Sequence, residues 1–484
     1  MNRLLSYLCS MTACLIAVGC VVEPTNQSNR NSLASPSPSA TASPSPAVEK
    51  ANAQPLTLPV LDAFFADESF SGLLKTRLQL TDGQVAKLKE LARSETAKLN
   101  EANAGKGEGE SSEARAAAEE RISALIGPEK TQQLATLIGE RWSGAGDDAS
   151  DKTATKPTNP SNREQFAGTP NAVPTDSRIV VNAPAYRMDV FDGGRLIKSY
   201  KIGIGYPQFP LPTGLRQARV IIFNPTWTPP DEPWVAKMRD ISVGEKVAAG
   251  SKLNPLGPIK IPIGGPSLIH GGKSPAKLGT FASHGCVGLT TPQVRDFTKV
   301  LAQLAGTHVT DAEIADYARD KTQTKEIKLI KPVPVELRYE TIVVEDGKLH
   351  VYRDVYDQGT NTEENLRAVL EANGVRLDDL TEAERIQVLD ALAQMTGKSG
   401  AGIVRPTAPS KESPSPAASP RSSPSLAESK SNSVTKLTAV VKNQKEVVIE
   451  IAALKGKGYP APIDLDTGSG KTKATSPSAT RRGK

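Results

Sequence analysis

Two short segments that lie close together decide the fold, IHGG at residues 269–272 and FASHGCVGLT at residues 281–290. They contain two of the four histidines of the chain, His270 and His284, and one of its four cysteines, Cys286. These three side chains fall within 16 positions of each other. Because both residue types are rare in this chain, the cluster indicates a chemical site rather than an accident of composition.

Cys286 has the residue type that a nucleophile needs. The thiolate is the reactive form, and an ordinary cysteine titrates near ~8.5, so we expect a neighbouring histidine, as an imidazolium, to lower the pKa of the thiol for reaction at neutral pH. That imidazole needs an acceptor for its second nitrogen, and neither segment contains Asp or Glu. We therefore expect a backbone carbonyl to orient the base. Gly271 and Gly285 would let the backbone approach a substrate carbonyl and direct N–H groups at its oxyanion.

The N-terminus predicts export. Residues 1–19 read as a signal peptide, with Arg3 followed by an apolar run shorter than the roughly 20 residues of a membrane span. The Gly19-Cys20 junction resembles a bacterial lipoprotein signal, in which the cysteine becomes lipidated. The Ser/Pro-rich residues 20–55 would then form the tether to the membrane. The alternative is an ordinary secretory signal in which Cys20 has no role.

Export bears on the meaning of Cys286. Cleavage before Cys20 would remove Cys9 and Cys14, and lipidation would consume Cys20, leaving Cys286 as the one remaining thiol. A single thiol in an oxidising compartment has no disulfide partner within its chain and is exposed to oxidation. It is either a nucleophile or a buried, inert cysteine, and the count alone does not decide between them.

Local patterns predict a multi-domain chain with disordered linkers. Helical periodicity follows a capping box at Thr81, whereas strand patterns and the hairpin turn at Asp192-Gly193 begin after residue 177. The predicted segments are a signal peptide at 1–19, a lipid anchor and tether at 20–55, a helical domain at 56–143, a linker at 144–177, a β-rich domain at 178–312, an α+β extension at 313–396 and a low-complexity tail at 397–484.

Charge excludes one class of partner. The net charge is +6, from 59 basic and 53 acidic residues, and no basic stripe with interleaved aromatic residues is present. Nucleic-acid binding is therefore not expected.

The two segments resemble the signature of the YkuD-type L,D-transpeptidases, enzymes that cross-link peptidoglycan. Further matching pieces span about residues 178–310 and are NAPAY at 182–186, PTG at 212–214, WTPP at 227–230 and NPLG at 254–257. The resemblance implies a mainly β catalytic domain at 178–312, a YkuD-like β-sandwich, with a helical N-terminal domain and an α+β C-terminal extension.

The resemblance also implies a reaction. Cys286 would attack the carbonyl before D-Ala in a tetrapeptide stem and form a thioester, which an amine of a neighbouring stem resolves. His270, held by the Gly271 carbonyl, would be proton acceptor and donor, while Ser283, His284 and Gly285 support the site. No cofactor or metal is expected. The partners would be peptidoglycan stem peptides and, through the lipid anchor, a membrane, in a cell envelope location facing the periplasm or cell wall.

One departure from the family pattern leaves alternatives open. The family usually has Arg two residues after the cysteine, where this chain has Gly288. The change could alter the donor, weaken activity, or be compensated by another cation such as Lys273. Hydrolysis of the thioester would make the protein an L,D-carboxypeptidase, and a decayed site would leave a non-catalytic peptidoglycan-binding lipoprotein. A zinc site formed by His270, His284 and Cys286 is a further alternative.

Overall fold

The computed structural model of the 484-residue chain describes residues 56–65, 67–98, 110–142, 169–229, 235, 240–265, 267–396 and 444–465. The predicted signal peptide, Cys20 and the tether lie outside the described residues, as do most of the predicted linker and tail. No helix within the described ranges has both the length and the apolar character required to cross a membrane.

Helices make up the described part of the N-terminal segment, as predicted. They are α1 (Leu58–Phe65), α2 (Glu68–Arg77), α3 (Asp82–Thr96), α4 (Glu110–Ile126) and α5 (Pro128–Trp142). The Thr81 side chain accepts from the Gln84 backbone, and the Gln84 side chain accepts from the Thr81 backbone, so both ends of the predicted capping box are formed. The five helices bury a shared apolar core, which we call the helical core. It also contains Phe209, which lies far along the chain.

An eight-stranded sheet forms the next part and has the strand order β3-β2-β1-β10-β5-β6-β7-β9. The strands are β1 (Arg178–Asn182), β2 (Arg187–Asp192), β3 (Arg195–Lys201), β5 (Gly214–Phe223), β6 (Ile259–Pro262), β7 (Leu268–Lys273), β9 (Val287–Thr290) and β10 (Lys325–Arg338). Two short strands, β4 (Ile204–Gly205) and β8 (Phe281–Ser283), pair separately. Helices α6 (Thr291–Leu304) and α7 (Asp311–Arg319) follow β9. The predicted β-rich character of this segment is confirmed.

The structure corrects the predicted boundary at residues 312 and 313. That boundary assigns β10 to the extension, but β10 lies between β1 and β5 near the middle of the eight-stranded sheet. It pairs in parallel with β1 and in antiparallel fashion with β5. The β-rich domain therefore extends to at least residue 338. The boundary was misplaced because local sequence patterns show that a segment is a strand but not which distant strand it joins.

In the part of the C-terminal extension that the structure describes, three strands combine with two helices. They are β11 (Ile342–Glu345), β12 (Lys348–Tyr352), α8 (Glu363–Ala372), α9 (Glu382–Met395) and β13 (Glu446–Glu450). Strand β13 falls inside the predicted low-complexity tail at 397–484, yet it pairs with β12 and buries Val447 and Ile449. The structure therefore corrects the assignment of residues 444–465 to a low-complexity tail. The sequence shows a β-prone patch at residues 436–454, but a local pattern does not identify the distant strand that the patch joins.

Candidate active site

Neighbouring strands bring the two predicted catalytic residues together. In the parallel pair of β7 and β9, His270 lies level with Gly288, and Cys286 precedes Gly288 by two positions. Cys286 lies in the turn that immediately precedes β9, which begins at Val287, so the pairing of the two strands places this turn close to His270. Two positions correspond to roughly 7 Å along a strand, a distance that a histidine side chain can largely span.

His270 is fixed by the backbone around it. Its side chain is buried, with 3% exposure, and Nδ1 lies 2.8 Å from the Gly271 carbonyl oxygen. A carbonyl can only accept, so Nδ1 carries the proton and Nε2 carries the lone pair. This is the backbone acceptor predicted from the sequence. Residue 271 has no room for a side chain, because a Cβ there would lie 2.6 Å from the Val294 side chain of α6.

Burial determines the charge state of this imidazole. It lowers the pKa of His270 to about 3, with the positive charge of Lys273 acting in the same direction. Hydrogen bonds to the backbone at Gly271 and Leu256 act in the opposite direction and are outweighed. His270 is therefore neutral at pH 7 and able to accept a proton.

Residues 283–286, which we call the catalytic turn, are closed by the side chain of Ser283. Ser283 Oγ donates to the Cys286 carbonyl at 2.5 Å and accepts from the Cys286 N–H at 3.1 Å. Gly285 adopts a φ of +76°, which a residue with a Cβ rarely accepts. The Cys286 N–H is thus engaged inside the turn, which the expectation of glycine-assisted oxyanion donors did not anticipate.

Cys286 is partly exposed, and its Sγ lies 3.9 Å from the His284 carbonyl oxygen. Desolvation by the surrounding protein raises the pKa of the thiol, while a backbone hydrogen bond from Leu268 and the charge of Lys273 oppose the rise. The resting site therefore pairs a neutral thiol with a neutral imidazole. This differs from the expectation that an imidazolium lowers the pKa of the thiol.

Lys273 occupies the space beside Gly288. A Cβ on residue 288 would lie 2.9 Å from Cγ of Lys273, and the Lys273 ammonium donates to the Ala282 carbonyl at 2.7 Å. Its charge favours the thiolate of Cys286 and disfavours protonation of both His270 and His284. Lys273 thus brings a positive charge to this site, next to Gly288, where the sequence departs from the family pattern.

His284 has an aromatic environment. Its ring makes T-shaped contacts with the rings of Tyr206 and Phe209, at centroid separations of 5.1 and 5.0 Å. Burial lowers the pKa of His284 to about 4, and Lys273 adds to the effect. Sequence reasoning missed Tyr206 and Phe209, because nothing in a Pro-rich loop over 70 residues upstream signals contact with this histidine.

The described residues contain no group of three or more His, Cys, Asp or Glu side chains placed to hold a metal ion. His270, His284 and Cys286 are neighbours in the fold but do not form such a group. The zinc alternative therefore has no geometric support, and the arrangement is suited to proton transfer between a thiol and an imidazole.

Comparison with known proteins identifies the same segment. Residues 176–314 match the sequence model of the YkuD family, the L,D-transpeptidase catalytic domain, which confirms the resemblance seen in the motifs. No curated protein matches the chain.

Several solved structures are similar to part of the chain. One is the NMR structure of the catalytic domain of the Enterococcus faecium L,D-transpeptidase, with 15% identity over 34% of this chain and 100% of that chain, at a TM-score of 0.23. Another is an L,D-transpeptidase from Mycobacterium smegmatis, with 14% identity over 34% of this chain and 58% of that chain, at 0.19. A third is the crystal structure of an Enterococcus faecium L,D-transpeptidase variant, with 13% identity over 34% of this chain and 50% of that chain, at a TM-score of 0.21. This chain therefore spans about half the length of the longer relatives.

Proposed function

Because residues 176–314 match the L,D-transpeptidase catalytic domain, we propose that this protein cross-links peptidoglycan through a thioester at Cys286. The observation that supports this most strongly is the pairing of β7 with β9, which sets His270 level with Gly288, two residues after Cys286, together with the bond between Nδ1 of His270 and the Gly271 carbonyl. That bond leaves Nε2 as the nitrogen able to accept a proton.

The reaction proceeds in two halves. As the sulfur of Cys286 attacks the carbonyl before D-Ala, its proton passes to Nε2 of His270. The C–N bond then breaks, D-Ala leaves as an amine with that proton, and a thioester remains on Cys286. An amine of a second stem attacks the thioester, gives a proton to His270 and forms the new amide, and the sulfur leaves and recovers its proton from His270.

The electrostatics of the site support general-base catalysis from a neutral pair. Burial keeps His270 unprotonated and raises the pKa of Cys286, so the proton moves during the attack rather than before it. Lys273 stabilises the negative sulfur at that moment, since a nearby cation favours a thiolate.

Incubation of the chain with tetrapeptide muropeptides, followed by mass spectrometry, tests this function. A transpeptidase yields cross-linked dimers together with free D-Ala. Release of D-Ala without dimers would identify an L,D-carboxypeptidase, and no reaction with wall binding retained would favour the non-catalytic lipoprotein. The Cys286→Ala variant is the matched control and is expected to give no product.

Membrane anchoring is a separate part of the proposal. It rests on the Gly19-Cys20 junction and the Ser/Pro-rich tether, which lie outside the described residues. We propose a lipoprotein in the cell envelope, facing the periplasm or cell wall. Cys20→Ser is expected to abolish lipid labelling and release the protein from membranes, whereas an uncleaved variant that stays membrane-bound would contradict the proposal.

A further inference from the structure

The loop at residues 205–211, which we call the bridging loop, lies directly against the catalytic turn. The Tyr206 N–H donates to the Ser283 carbonyl at 2.8 Å. A Cβ on Gly205 would lie only 3.1 Å from the backbone nitrogen of Gly285, so the two backbones pack without side chains between them. A shift of the bridging loop would therefore be transmitted to the turn that carries Cys286.

The same loop holds the ring of His284. Tyr206 and Phe209 both make T-shaped contacts with the imidazole, and T-shaped pairs are a favoured geometry for aromatic rings. His284 is two residues from Cys286, and its carbonyl oxygen contacts Sγ. The position of the His284 ring is thereby coupled to the position of the thiol.

On its other side, the bridging loop is anchored in the N-terminal helices. Phe209 is 2% exposed and belongs to the helical core. The hydroxyls of Thr57 and Ser111 donate to the carbonyls of Gln208 and Pro207, each at 2.7 Å. The Phe209 ring therefore contacts the helical core and His284 at the same time.

A second contact runs directly from the helices to the turn. The ring of Trp142, the last residue of α5, reaches within 3.7 Å of the point where a Cβ of Gly285 would lie. Trp142 is 3% exposed, and its indole N–H has no hydrogen-bond partner among the described residues. The helices thus approach the catalytic turn through apolar contact.

The C-terminal extension holds the bridging loop from a different direction. The Tyr356 hydroxyl donates to the Gly205 carbonyl at 3.0 Å and accepts from the Leu211 N–H at 3.1 Å. Arg115 of α4 donates in turn to the carbonyls of Tyr356 and Asp357, at 3.0 and 2.7 Å. The loop is therefore restrained by both added parts of the chain.

We propose that the helical domain positions the catalytic turn, and that Phe209 is the positioning residue through which it acts on His284 and thus on Cys286. This inference rests on the proposed transpeptidase function. Its physical basis is that acylation requires the sulfur at a defined distance and angle from the carbonyl, and misplacement by about 1 Å can cost roughly 100-fold in rate.

The test compares Phe209→Ala with Leu88→Ala in the full chain. Leu88 is a fully buried member of the same helical core on α3, so both variants weaken that core. We measure the rate of carbapenem acylation of Cys286 and the NMR titration of His284. Phe209→Ala is expected to slow acylation about tenfold and to raise the pKa of His284 from about 4 towards its ordinary value, because the ring loses its cover. Leu88→Ala is expected to change the acylation rate by less than about twofold and to leave the pKa of His284 unchanged.

A second pair of variants covers the case in which Phe209→Ala does not fold. Ser111→Ala removes the donor to the Pro207 carbonyl, whereas Ser94→Ala removes a hydroxyl that bonds only within its own helix, to the Leu91 carbonyl, among the contacts seen. Ser111→Ala is expected to slow acylation by roughly three- to fivefold, and Ser94→Ala to leave the rate unchanged.

Equal slowing by both members of either pair, or no slowing by Phe209→Ala and Ser111→Ala, would overturn the positioning role. Failure of the proposed function has a different signature. In that case the wild-type chain is not acylated by the carbapenem at all, although iodoacetamide still alkylates Cys286.

Discussion

Two histidines, His270 fully buried and His284 half-buried, lie near Cys286, yet the regions that hold them differ. His270 lies within the eight-stranded sheet and is bonded to the carbonyl of its own neighbour, Gly271. His284 lies in the catalytic turn and is enclosed by aromatic rings of the bridging loop. Burial lowers the pKa of both, to about 3 and about 4, so the charge state does not distinguish them.

The difference teaches that a lowered pKa and a neutral charge state do not assign a histidine its role. An oriented ring nitrogen gives His270 a defined lone pair for proton transfer, because Nδ1 is already committed to a carbonyl. Contacts through the faces and edges of rings give His284 a defined position. We therefore propose that His270, on the sheet, transfers the proton, and that the bridging loop positions His284.

The largest expected effect comes from replacing the two histidines in turn. His270→Ala is expected to lower the rate of Cys286 acylation by roughly 100- to 10,000-fold, the usual contribution of general-base catalysis. His284→Ala is expected to cost about tenfold, through loss of order in the turn. His308→Ala, at an exposed site, is the control and should have no effect. The rates are measured by intact-mass spectrometry, and a larger loss for His284→Ala than for His270→Ala would reverse the two roles.

A smaller effect is expected from removing the cation that both regions share. Lys273→Met should reduce the rate of acylation at pH 7 by about tenfold, because a nearby positive charge changes the pKa of a titrating group by about 1 or more. The variant should also raise the pKa of Cys286 further, since Lys273 favours the thiolate. The pH dependence of iodoacetamide alkylation reports this shift.

Lys260→Met provides the matched control for Lys273→Met. Lys260 lies opposite His270 on β6, and the charge acting on it comes from Glu326. Its replacement is expected to leave the pH dependence of alkylation unchanged. Identical profiles for the two variants would show that the charge beside Gly288 has no special role.

The smallest effect concerns pH. An ordinary histidine base would be half protonated near pH 6.5 and would lose activity below it. The lowered pKa of His270, about 3, keeps its imidazole neutral at pH 5. Carbapenem acylation is therefore expected to change by less than about twofold between pH 7 and pH 5, as long as circular dichroism shows an intact fold. A fall centred near pH 6.5 would mean that the imidazole is solvated like an ordinary one.

Local chemistry made much of this site predictable from the sequence. The rarity of cysteine and histidine marked Cys286, His270 and His284 as candidates, and the absence of nearby carboxylates predicted the backbone acceptor that His270 has. The capping box at Thr81 and the hairpin turn at Asp192-Gly193 predicted a helix start and a strand pair that the structure contains, because these signals act within a few residues of each other.

Long-range contacts were not predictable from a single sequence. The central placement of β10, the return of β13 and the contact of Phe209 with His284 all join residues far apart in the chain. Periodicity shows which face of an element is apolar but not which partner covers it. The helical domain therefore had no assigned role until its contacts with the bridging loop were seen.

The central claim, that Cys286 is the nucleophile of an acyl-transfer site, is tested most directly by intact-mass spectrometry of the folded chain after exposure to a carbapenem. The account predicts one adduct, mapped to the peptide that contains Ser283 and Cys286, absent from Cys286→Ala and unaffected by zinc chelators. A folded wild-type chain that forms no adduct with any carbapenem and does not react with tetrapeptide stems would contradict it.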